Sequence, residues 1–362
     1  MKGLVMQLRK IEKLNLFLLI FSTLLITTLL LSGCGSSSQS QGNGKTDAIQ
    51  NTTQNRQETS ARGPYSVTDL TGTKVTFDSK PKKILTFAMY TDQIVLGLVA
   101  SDHLMGVNTL LDDPAVSNII PIAKKINKKI GNPGAEEVLS MKPDLIIVSD
   151  WTQAEKIQAM RDLGLKVVSV KSPETVQDVK DAVTQIAAAI GEPEKGKLLI
   201  GLMDQKLAEI REKTKKIKPE QRKNIVLLSL MTAYGGTGCA YDDACREANV
   251  INGIAAAGLK NGQQLTKEML IKINPDIMLL PVYTGQGSYD TQAFVDSYLK
   301  DPSLQTVKAI KEKRLIYPRE QFIYNCSQDI VFCVQEVARC AYGKEFDFPD
   351  NARLTVTDEK NE

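Results

Sequence analysis

The sequence predicts an α/β protein with two α/β lobes joined by one long helix. Three observations support this fold class. Strand-like and helix-like segments alternate in both halves of the 362-residue chain, which is typical of a mostly parallel sheet with helices on both faces. A long helical stretch separates the halves. The phrase "EEVLSMKPDLIIV" at 136–148 also returns as "EMLIKINPDIMLL" at 268–280, so each half ends a helix at proline and then begins a buried strand.

The first lobe is predicted over residues 64–191. It begins with "YSVTDLTGTKVTF", whose alternating apolar and polar residues around a Thr-Gly turn predict a hairpin. Strands and helices then alternate as KKILTFA (strand), TDQIVLGLV (helix), LMGV (strand), GAEEVLSM (helix), DLIIVSD (strand), TQAEKIQAMRDLG (helix), LKVVSV (strand) and SPETVQDVKDAVTQIAAAIG (helix). Thr91 or Asp92 is expected to cap the first helix, and Ser172 with Pro173 to begin the last.

The connecting helix is predicted over residues 192–218, ending before Pro219. Its core-facing side chains advance by three or four residues and share one face. They are Leu199, Met203, Leu207, Ile210, Thr214 and Ile217. The second lobe, residues 219–345, continues the alternation with NIVLLSL, YDDACREANVINGIAAAG, TKEMLIKI, DIMLLPV, TQAFVDSYL, RLIYP and SQDIVFCVQEVARCAYG, and a tail follows at 346–362. Both lobes are therefore predicted to be Rossmann-like.

Residues 1–34 have the form of an export signal. Basic residues precede an apolar run at 16–31, and small residues then lead to Cys34. The segment resembles a bacterial lipoprotein signal peptide with Cys34 as the lipidated residue. An uncleaved transmembrane helix is the alternative, because about 20 apolar residues can span a bilayer. Both interpretations place the remainder outside the cytoplasm and attached to the cell membrane, with residues 35–63 as a disordered, polar tether.

Net charge excludes one class of partner. The chain carries a formal charge of +3, and the first 33 residues account for all of it. The rest of the chain is neutral, so nothing indicates binding to nucleic acid.

The ordered motifs resemble one protein family. "VTDLTGTKVTFDSKPKKILTF", "DHLMGV", "IGNPGAEEVLSMKPDLIIV", "YDDACREANVINGIAAAG" and "LTKEMLIKINPDIMLLP" are similar, in this order, to segments of the substrate-binding proteins of bacterial importers for iron–siderophore, haem and cobalamin complexes. The similarity covers residues 65–345. It implies two lobes on one rigid helix, with a ligand cleft between the lobes. It also implies that one glutamate on each lobe docks on the permease; by position these are Glu136 and Glu268, with Glu137 as a competitor.

Ligand contacts are expected where strands end, because loops at the carboxyl ends of parallel strands face such a cleft. Aromatic residues at these positions suit a large, partly aromatic or macrocyclic ligand. The candidates are Met89, Tyr90, Thr91, Trp151, Thr232, Tyr234, Tyr283, Arg319 and Tyr324.

A bare metal site is not expected. His103 is the only histidine, whereas zinc or manganese sites normally use several histidines and carboxylates. Any metal is therefore expected to arrive already chelated, with no cofactor of the protein's own. Haem stays open as a ligand through Met89 or Tyr90. A basic run is read as a solvated face, with attraction of an anionic siderophore as the alternative; it consists of Lys124, Lys125, Lys128 and Lys129.

Five cysteines follow Cys34, and the sequence leaves their redox state open. Cys326, Cys333 and Cys340 are spaced by seven residues, about 10.5 Å on a helix, which is too far for a disulfide between neighbours. Cys239 and Cys245 could pair with each other, or one of them with Cys326. Buried free thiols fit the sequence equally well.

The sequence thus predicts a monomeric, non-enzymatic binding protein. It would capture a metal chelate and deliver it to the permease of an ABC importer and its ATPase. An extracellular two-lobe enzyme is the first alternative, but G-x-G-x-x-G, G-x-x-x-x-G-K-[ST] and G-x-S-x-G motifs are absent from the sequence. An adhesive surface lipoprotein is the second. Because one stiff helix joins the lobes, only a modest change in lobe angle is expected.

Overall fold

The computed structural model of the protein describes residues 63–231 and 233–359. The predicted signal peptide with Cys34, the tether up to residue 62 and the candidate contact Thr232 lie outside the described residues. No helix within 63–231 or 233–359 is long and apolar enough to cross a membrane.

The described chain begins with the predicted hairpin. β1 (Tyr65–Thr68) and β2 (Lys74–Phe77) pair antiparallel. The ring of Tyr65 stacks on Phe77 with centroids 5.0 Å apart, and its hydroxyl donates to the carbonyl of Ala189 at 2.9 Å. These contacts fix the hairpin to the first lobe.

The first lobe is built on parallel strands. They are β3 (Ile84–Thr86), β4 (Val107–Asn108), β5 (Lys129–Ile130), β6 (Leu145–Ser149) and β7 (Val167–Val170). β3, β6 and β7 pair in that order, β4 pairs with β5, and a bridge from Leu104 to Ile84 sets the chain before β4 beside β3. The helices are α1 (Met89–Leu98), α2 (Ile120–Ala123), α3 (Ala135–Met141), α4 (Ala154–Asp162) and α5 (Val176–Ala189).

The connecting helix is α6 (Pro193–Thr214), 22 residues long. The predicted face is buried as far as Thr214. The helix ends four residues earlier than predicted, because the chain tightens into i→i+3 hydrogen bonds. The Lys216 and Ile217 N–H groups donate to the Lys213 and Thr214 carbonyls at 3.3 and 3.0 Å.

The second lobe repeats the strand arrangement of the first. Its strands are β8 (Asn224–Leu227), β9 (Ile251–Asn252), β10 (Ile277–Leu279) and β11 (Leu315–Ile316), and they pair in parallel in the order β11-β10-β8-β9. Its helices are α7 (Ala240–Glu247), α8 (Gly253–Ala256), α9 (Lys267–Ile273), α10 (Thr291–Leu299), α11 (Lys308–Lys311), α12 (Glu320–Ile323) and α13 (Ile330–Tyr342). The strand β9, inside a segment predicted without a strand, was missed.

The central strands of both sheets are buried on both faces. Along β6, Leu145 and Ile147 pack into a central cluster that also holds side chains of α5, α6 and α13. Ile146 and Val148 pack into a second cluster beneath α3 and α4. β8 and β10 alternate in the same way between the central cluster and a third cluster on the outer face of the second sheet. Successive side chains of a strand point to opposite faces of the sheet. A sheet that is covered on both faces therefore requires strands with continuous apolar runs.

The repeated phrase forms the same junction twice. α3 and α9 each have seven residues, and each is followed by a left-handed residue, Lys142 at φ 53° and Asn274 at φ 46°. The aspartate after the proline then accepts backbone N–H groups from the start of the neighbouring strand. Asp144 accepts from Lys83 and Asp276 from Asn224, both at 2.9 Å. Each aspartate thus fixes the register of two parallel strands.

Two predicted helix starts were wrong. α1 begins at Met89, so Thr91 and Asp92 lie inside it, and the Thr91 hydroxyl donates back to the Ala88 carbonyl at 2.7 Å. α5 is capped by Thr175, whose hydroxyl accepts from the Asp178 N–H at 3.0 Å, rather than by Ser172 and Pro173.

The C-terminal tail crosses from α13 to the first lobe. The Val356 N–H donates to the Gly97 carbonyl at 2.9 Å. The Glu359 carboxylate accepts from the N–H and the hydroxyl of Ser101, both at 2.8 Å. The tail therefore ties the second lobe to the end of α1.

Candidate functional site

A cavity of about 430 Å³ opens between the two lobes, where their parallel strands end. Residues that follow β3, β4 and β6 line its first wall: Ala88, Met89, Tyr90, Gln93, Asn108, Leu110, Val116 and Trp151. Residues that follow β8, β10 and β11 line its second wall: Ser229, Leu230, Met231, Tyr283, Glu320, Tyr324, Asn325 and Cys326. This is the position expected for a ligand site in an α/β fold.

On the first wall, Tyr90 is held rigidly and Trp151 is free. The Tyr90 hydroxyl accepts a hydrogen bond from the Ser149 hydroxyl at 2.7 Å, and burial raises the pKa of Tyr90 to about 12. Trp151 follows the same strand as Ser149 but is 63% exposed. Its indole therefore offers apolar area that a ligand can cover.

A buried carboxyl group supports the first wall from behind. Asp92 is fully buried in the first turn of α1. It accepts hydrogen bonds from the Thr86 hydroxyl and from the Asn108 N–H, the latter at 2.8 Å. Burial raises the pKa of Asp92 to about 8, although both hydrogen bonds oppose the shift. Asp92 thereby holds the loop that carries Asn108 and Leu110 against α1.

On the second wall, Glu320 is a buried carboxylate at the start of α12. It accepts backbone hydrogen bonds from Val282, at 2.8 Å, and from Tyr283. Burial raises the pKa of Glu320, and the two N–H donors partly offset this shift. The Tyr324 hydroxyl beside it donates to the Ser229 hydroxyl at 2.9 Å. These bonds connect the ends of β8, β10 and β11 into one rigid surface.

The floor of the cavity is a polar network between the lobes. The Gln93 amide donates to the Asn118 side-chain oxygen at 2.9 Å, and the Asn118 amide donates to the Asp329 carboxylate at 2.8 Å. Gln328 donates to the Gln93 carbonyl at 3.1 Å. Burial raises the pKa of Asp329 to about 6. Gln93 and Asn325 present this network to the cavity.

Five predicted contacts line the cavity: Met89, Tyr90, Trp151, Tyr283 and Tyr324. Three others lie elsewhere. Thr91 is fully buried against Ala88. Tyr234 packs behind Tyr324, with ring centroids 5.2 Å apart, and lines a small separate cavity. We therefore withdraw Thr91 and Tyr234 as direct contacts.

Arg319 is also withdrawn as a contact, because it holds the tail. Its guanidinium pairs with Glu336 at 2.6 Å and with Asp350 at 3.0 Å. It stacks on Phe348 at 3.7 Å from the ring centroid. The partner Glu336 lies 17 residues further on and is fully buried.

Sequence reasoning missed several lining residues. Gln93 lies one helical turn after Met89, and Asn108 ends β4. Glu320 and Asn325 stand beside predicted residues in "REQFIYNCS". The expectation that ligand contacts lie where parallel strands end could have identified these residues. It was applied only to aromatic residues and their nearest neighbours.

All five described cysteines are free thiols. Four are buried, and Cys326 lines the cavity with its pKa raised to about 12 by burial. The described residues contain no group of three or more His, Cys, Asp and Glu side chains that could hold a metal ion. His103 pairs with its neighbour Asp102 at 2.9 Å and does not line the cavity.

The basic run lies away from the cavity lining. Lys124, Lys125 and Lys128 are exposed. Lys129 is half-buried and donates to Asp112 and to the Ala123 carbonyl, both at 2.8 Å. The placement agrees with the interpretation as a solvated face.

Glu136 and Glu268 occupy equivalent positions. Each is the second residue of its helix, α3 or α9, and each is exposed. Hydrogen bonds from its own backbone N–H and from Thr266 hold the pKa of Glu268 below its usual range. Both helices end where β6 or β10 begins, so their first turns lie toward the strand ends that carry the cavity.

Comparison with known proteins supports the same fold. The chain is 28% identical to an ABC transporter substrate-binding lipoprotein, YvrC of Bacillus subtilis strain 168, over 90% of this chain and 98% of that one. It is 25% identical to the Fe(3+)-citrate-binding protein YfmC of the same organism, over 82% and 87%. The apo periplasmic heme-binding protein RhuT of Roseiflexus sp. RS-1 is similar in fold, with a TM-score of 0.59, 21% identity and coverage of 72% and 99%. The family model for periplasmic binding proteins matches residues 89–321, so the chain belongs to the periplasmic binding protein family.

Proposed function

We propose that the chain is the extracytoplasmic solute-binding component of an ABC importer, which captures a metal chelate and delivers it to a membrane permease. The observation that carries this proposal is the cavity between the lobes, with aromatic side chains from both lobes at the strand ends. Its volume of about 430 Å³ falls in the range of small-molecule sites. Two relatives support the same role, because YvrC is named as an ABC transporter substrate-binding lipoprotein and YfmC as a protein that binds Fe(3+)-citrate, a metal chelate.

In this proposal Met89, Tyr90 and Trp151 contact one side of the ligand, and Tyr283 and Tyr324 the other. Two tyrosines already have hydrogen-bond partners in the protein, so their ring edges and faces are what the ligand meets. The ligand is an iron–siderophore, corrinoid or haem complex. The metal enters with its own chelator, and the protein needs no cofactor and catalyses no reaction.

The proposal also assigns a place and a partner. Cys34 carries a lipid anchor at the outer side of the cell membrane, and the chain acts as a monomer. Glu136 and Glu268 meet basic residues of the permease. Charge pairs at a rim favour orientation and fast association more than raw affinity, which suits a carrier that must also dissociate.

The test is a ligand panel. The full chain, solubilised in detergent, is titrated with ferrichrome, ferrioxamine B, cobalamin, cobinamide and haem, and the fluorescence of Trp151, the only tryptophan, is recorded with the visible spectrum. We expect saturable quenching with 1:1 stoichiometry by at least one member. A panel without any saturable response would contradict the proposal.

A further inference from the structure

The part of the cavity lining that the structure describes contains a carboxylate but no cation. Among the described residues that form it, Glu320 is the sole acidic side chain, and none is Lys, Arg or His. The other polar groups of the described lining are the amides of Gln93, Asn108 and Asn325, the hydroxyls of Ser229 and of three tyrosines, the Trp151 indole N–H and the Cys326 thiol. Thr232, which lies outside the described residues beside Met231, is uncharged.

We propose that the cleft takes a chelate whose enclosed surface is uncharged or cationic, and that it excludes chelates that turn carboxylates or other anionic groups toward the lining. This inference rests on the proposed function and specifies the ligand class within it. An anion that leaves water needs a cation or several free donors as replacement. The described lining offers no cation for that purpose.

Two cations close to lining residues, Arg319 beside Glu320 and Lys171 beside Tyr90, have other partners. Arg319 pairs with Glu336 and Asp350. Lys171, which follows β7, pairs with Asp178 at 2.7 Å. If Arg319 turned toward a ligand, the fully buried Glu336 would lose one of its two arginine partners. Such a rearrangement is costly, because a buried carboxylate would lose part of its compensation.

Glu320 sets the sign of the field in the cleft. It is 2% exposed, and its position is fixed by the N–H groups of Val282 and Tyr283. The amino end of α1 at Met89 opposes it, but a helix end carries only about half a unit charge. An ionised Glu320 therefore favours cations and repels anions, whereas a protonated Glu320 leaves the lining neutral. In either state an anionic ligand finds no cationic partner among the described lining residues.

The first test compares ligands of one shape and different charge. Ferrioxamine B carries one free ammonium group, its N-acetyl derivative is neutral, and its N-succinyl derivative is anionic. Cyanocobalamin and its monocarboxylic acid form a second matched pair. In whichever series binds the full chain, we expect the carboxylate to raise Kd by on the order of tenfold or more. An anionic member that binds as tightly as its neutral counterpart would overturn the inference and leave the proposed function intact.

The second test needs no ligand. Quenching of Trp151 fluorescence by Cs⁺ is compared with quenching by iodide at equal ionic strength, with acrylamide as the neutral reference. We expect the Cs⁺-to-iodide ratio of quenching constants to fall about twofold in Glu320→Gln, which keeps an oxygen for the two N–H donors. Glu194→Gln, an exposed position on α6, is the matched control and should leave the ratio unchanged.

The same ratio in the native chain and in Glu320→Gln would overturn the assignment of the field to Glu320.

A third variant, Met231→Lys, adds a cation at a lining position that is 52% exposed, where folding is not at risk. It should lower Kd for the anionic member about tenfold relative to the neutral one. If Met231→Lys does not bind the anionic member more tightly than the native chain does, the inference is also wrong. If no chelate binds at all, the proposed function fails, and the quenching ratio still decides the charge of the cleft.

Discussion

Tyr90 and Trp151 follow neighbouring parallel strands, yet they differ in what surrounds them. Tyr90 is 8% exposed and bonded to Ser149, so its ring is part of the wall. Trp151 is mostly exposed, and no hydrogen bond of its indole is seen among the described residues. A substitution at Tyr90 would therefore change both stability and binding, whereas Trp151 offers a clean measure of ligand contact.

Trp151→Ala is expected to raise Kd for the bound chelate by about tenfold or more, because an aromatic contact at a binding site is worth more than about 1 kcal/mol. The melting temperature should stay unchanged. Calorimetric titration measures the first quantity and thermal unfolding the second. Leu198→Ala, equally exposed on α6, is the control. Unchanged affinity in Trp151→Ala would remove Trp151 from the site.

Asp92 gives a pH prediction. Its folded-state pKa is raised to about 8, against about 4 in an unfolded chain. The folded state therefore holds the Asp92 proton between these values while the unfolded state has lost it. The stability that this proton contributes is complete below about pH 4 and is lost as the pH rises toward 8.

Asp92→Asn should remove this contribution. The free energy of unfolding of the native chain should fall more steeply from pH 5 to 8 than that of Asp92→Asn, by up to about 1.4 kcal/mol per pH unit. Urea unfolding at a series of pH values measures both slopes. Asp162→Asn, at an exposed position, should match the native slope. Parallel slopes for the native chain and Asp92→Asn would refute the prediction.

Sequence reasoning reached the right strand ends but not the direction of each side chain. Met89, Tyr90 and Thr91 are consecutive, and the start of α1 rotates Thr91 into the core. Arg319 is a polar residue at a strand end, and nothing local indicates that Glu336 will bind it from α13. The direction of a side chain and its long-range partners depend on tertiary structure. They decide which strand-end residues contact the cavity and which do not.

At the scale of elements, the two copies of the helix–Pro–Asp–strand junction are alike down to the backbone. Both place a residue other than glycine in the left-handed region. Asn274 suits that conformation, and its side chain accepts the Lys308 N–H at 2.8 Å. Lys142 is exposed and has the same backbone conformation without the local hydrogen-bonding side chain that makes Asn tolerant.

Lys142→Gly should therefore stabilise the protein by about 0.5–1 kcal/mol, because glycine adopts a positive φ without the steric cost. Asn274→Gly should not stabilise it, since the substitution removes the bond to Lys308. Chemical denaturation of both variants measures the difference. A Lys142→Gly variant that is no more stable than the native chain would show that the left-handed conformation at Lys142 costs little.

Elements with two covered faces were predictable, because their apolar runs are continuous and end at a turn or at proline. The two-residue strand β9 was not predictable, because the residues on both sides of it have the pattern of the flanking helices α7 and α8. The end of α6 was overestimated because Pro219 excludes helix after it but does not force the helix to reach it. Periodicity fixed the buried face of α6, and local hydrogen bonding fixed its length.

At the scale of the whole molecule, Glu136 and Glu268 place one exposed carboxylate on each lobe, in the first turn of a helix that begins on the cleft side. A pair of matched charges can orient a carrier on a membrane protein, and it can act without touching the ligand. Substitutions at Glu136 and Glu268 should therefore impair docking on the permease without changing ligand binding.

Glu136→Lys combined with Glu268→Lys should abolish most uptake of the identified chelate in cells while its Kd stays within about twofold, because rim charges govern association rather than enclosed contacts. Glu220→Lys combined with Glu312→Lys changes the same net charge at other exposed positions and should leave uptake near the native level. Equal loss in both double variants would indicate a nonspecific effect of charge.

The extent of lobe movement follows from how many connections cross between the lobes. α6 is continuous over 22 residues, and the inner faces of both sheets share one core with it. The tail adds bonds from Val356 and Glu359 to the first lobe. The floor adds the buried bond from Asn118 to Asp329. Each buried polar bond that opening breaks without replacement costs about 1–3 kcal/mol.

We therefore expect the scattering curves of the free and loaded protein to superimpose, with a radius of gyration that is equal within error. Deletion of residues 352–362 removes the tail contacts to Gly97 and Ser101 and the bonds of Ala352 and Leu354 to the floor network, but it removes no residue of α6 or of the cavity lining. The free form of that variant should show a larger radius of gyration, and loading should reduce it, because the ligand then supplies the contacts that the tail no longer makes. A large contraction of the intact chain on loading would mean that the floor network opens in the free state and that α6 bends.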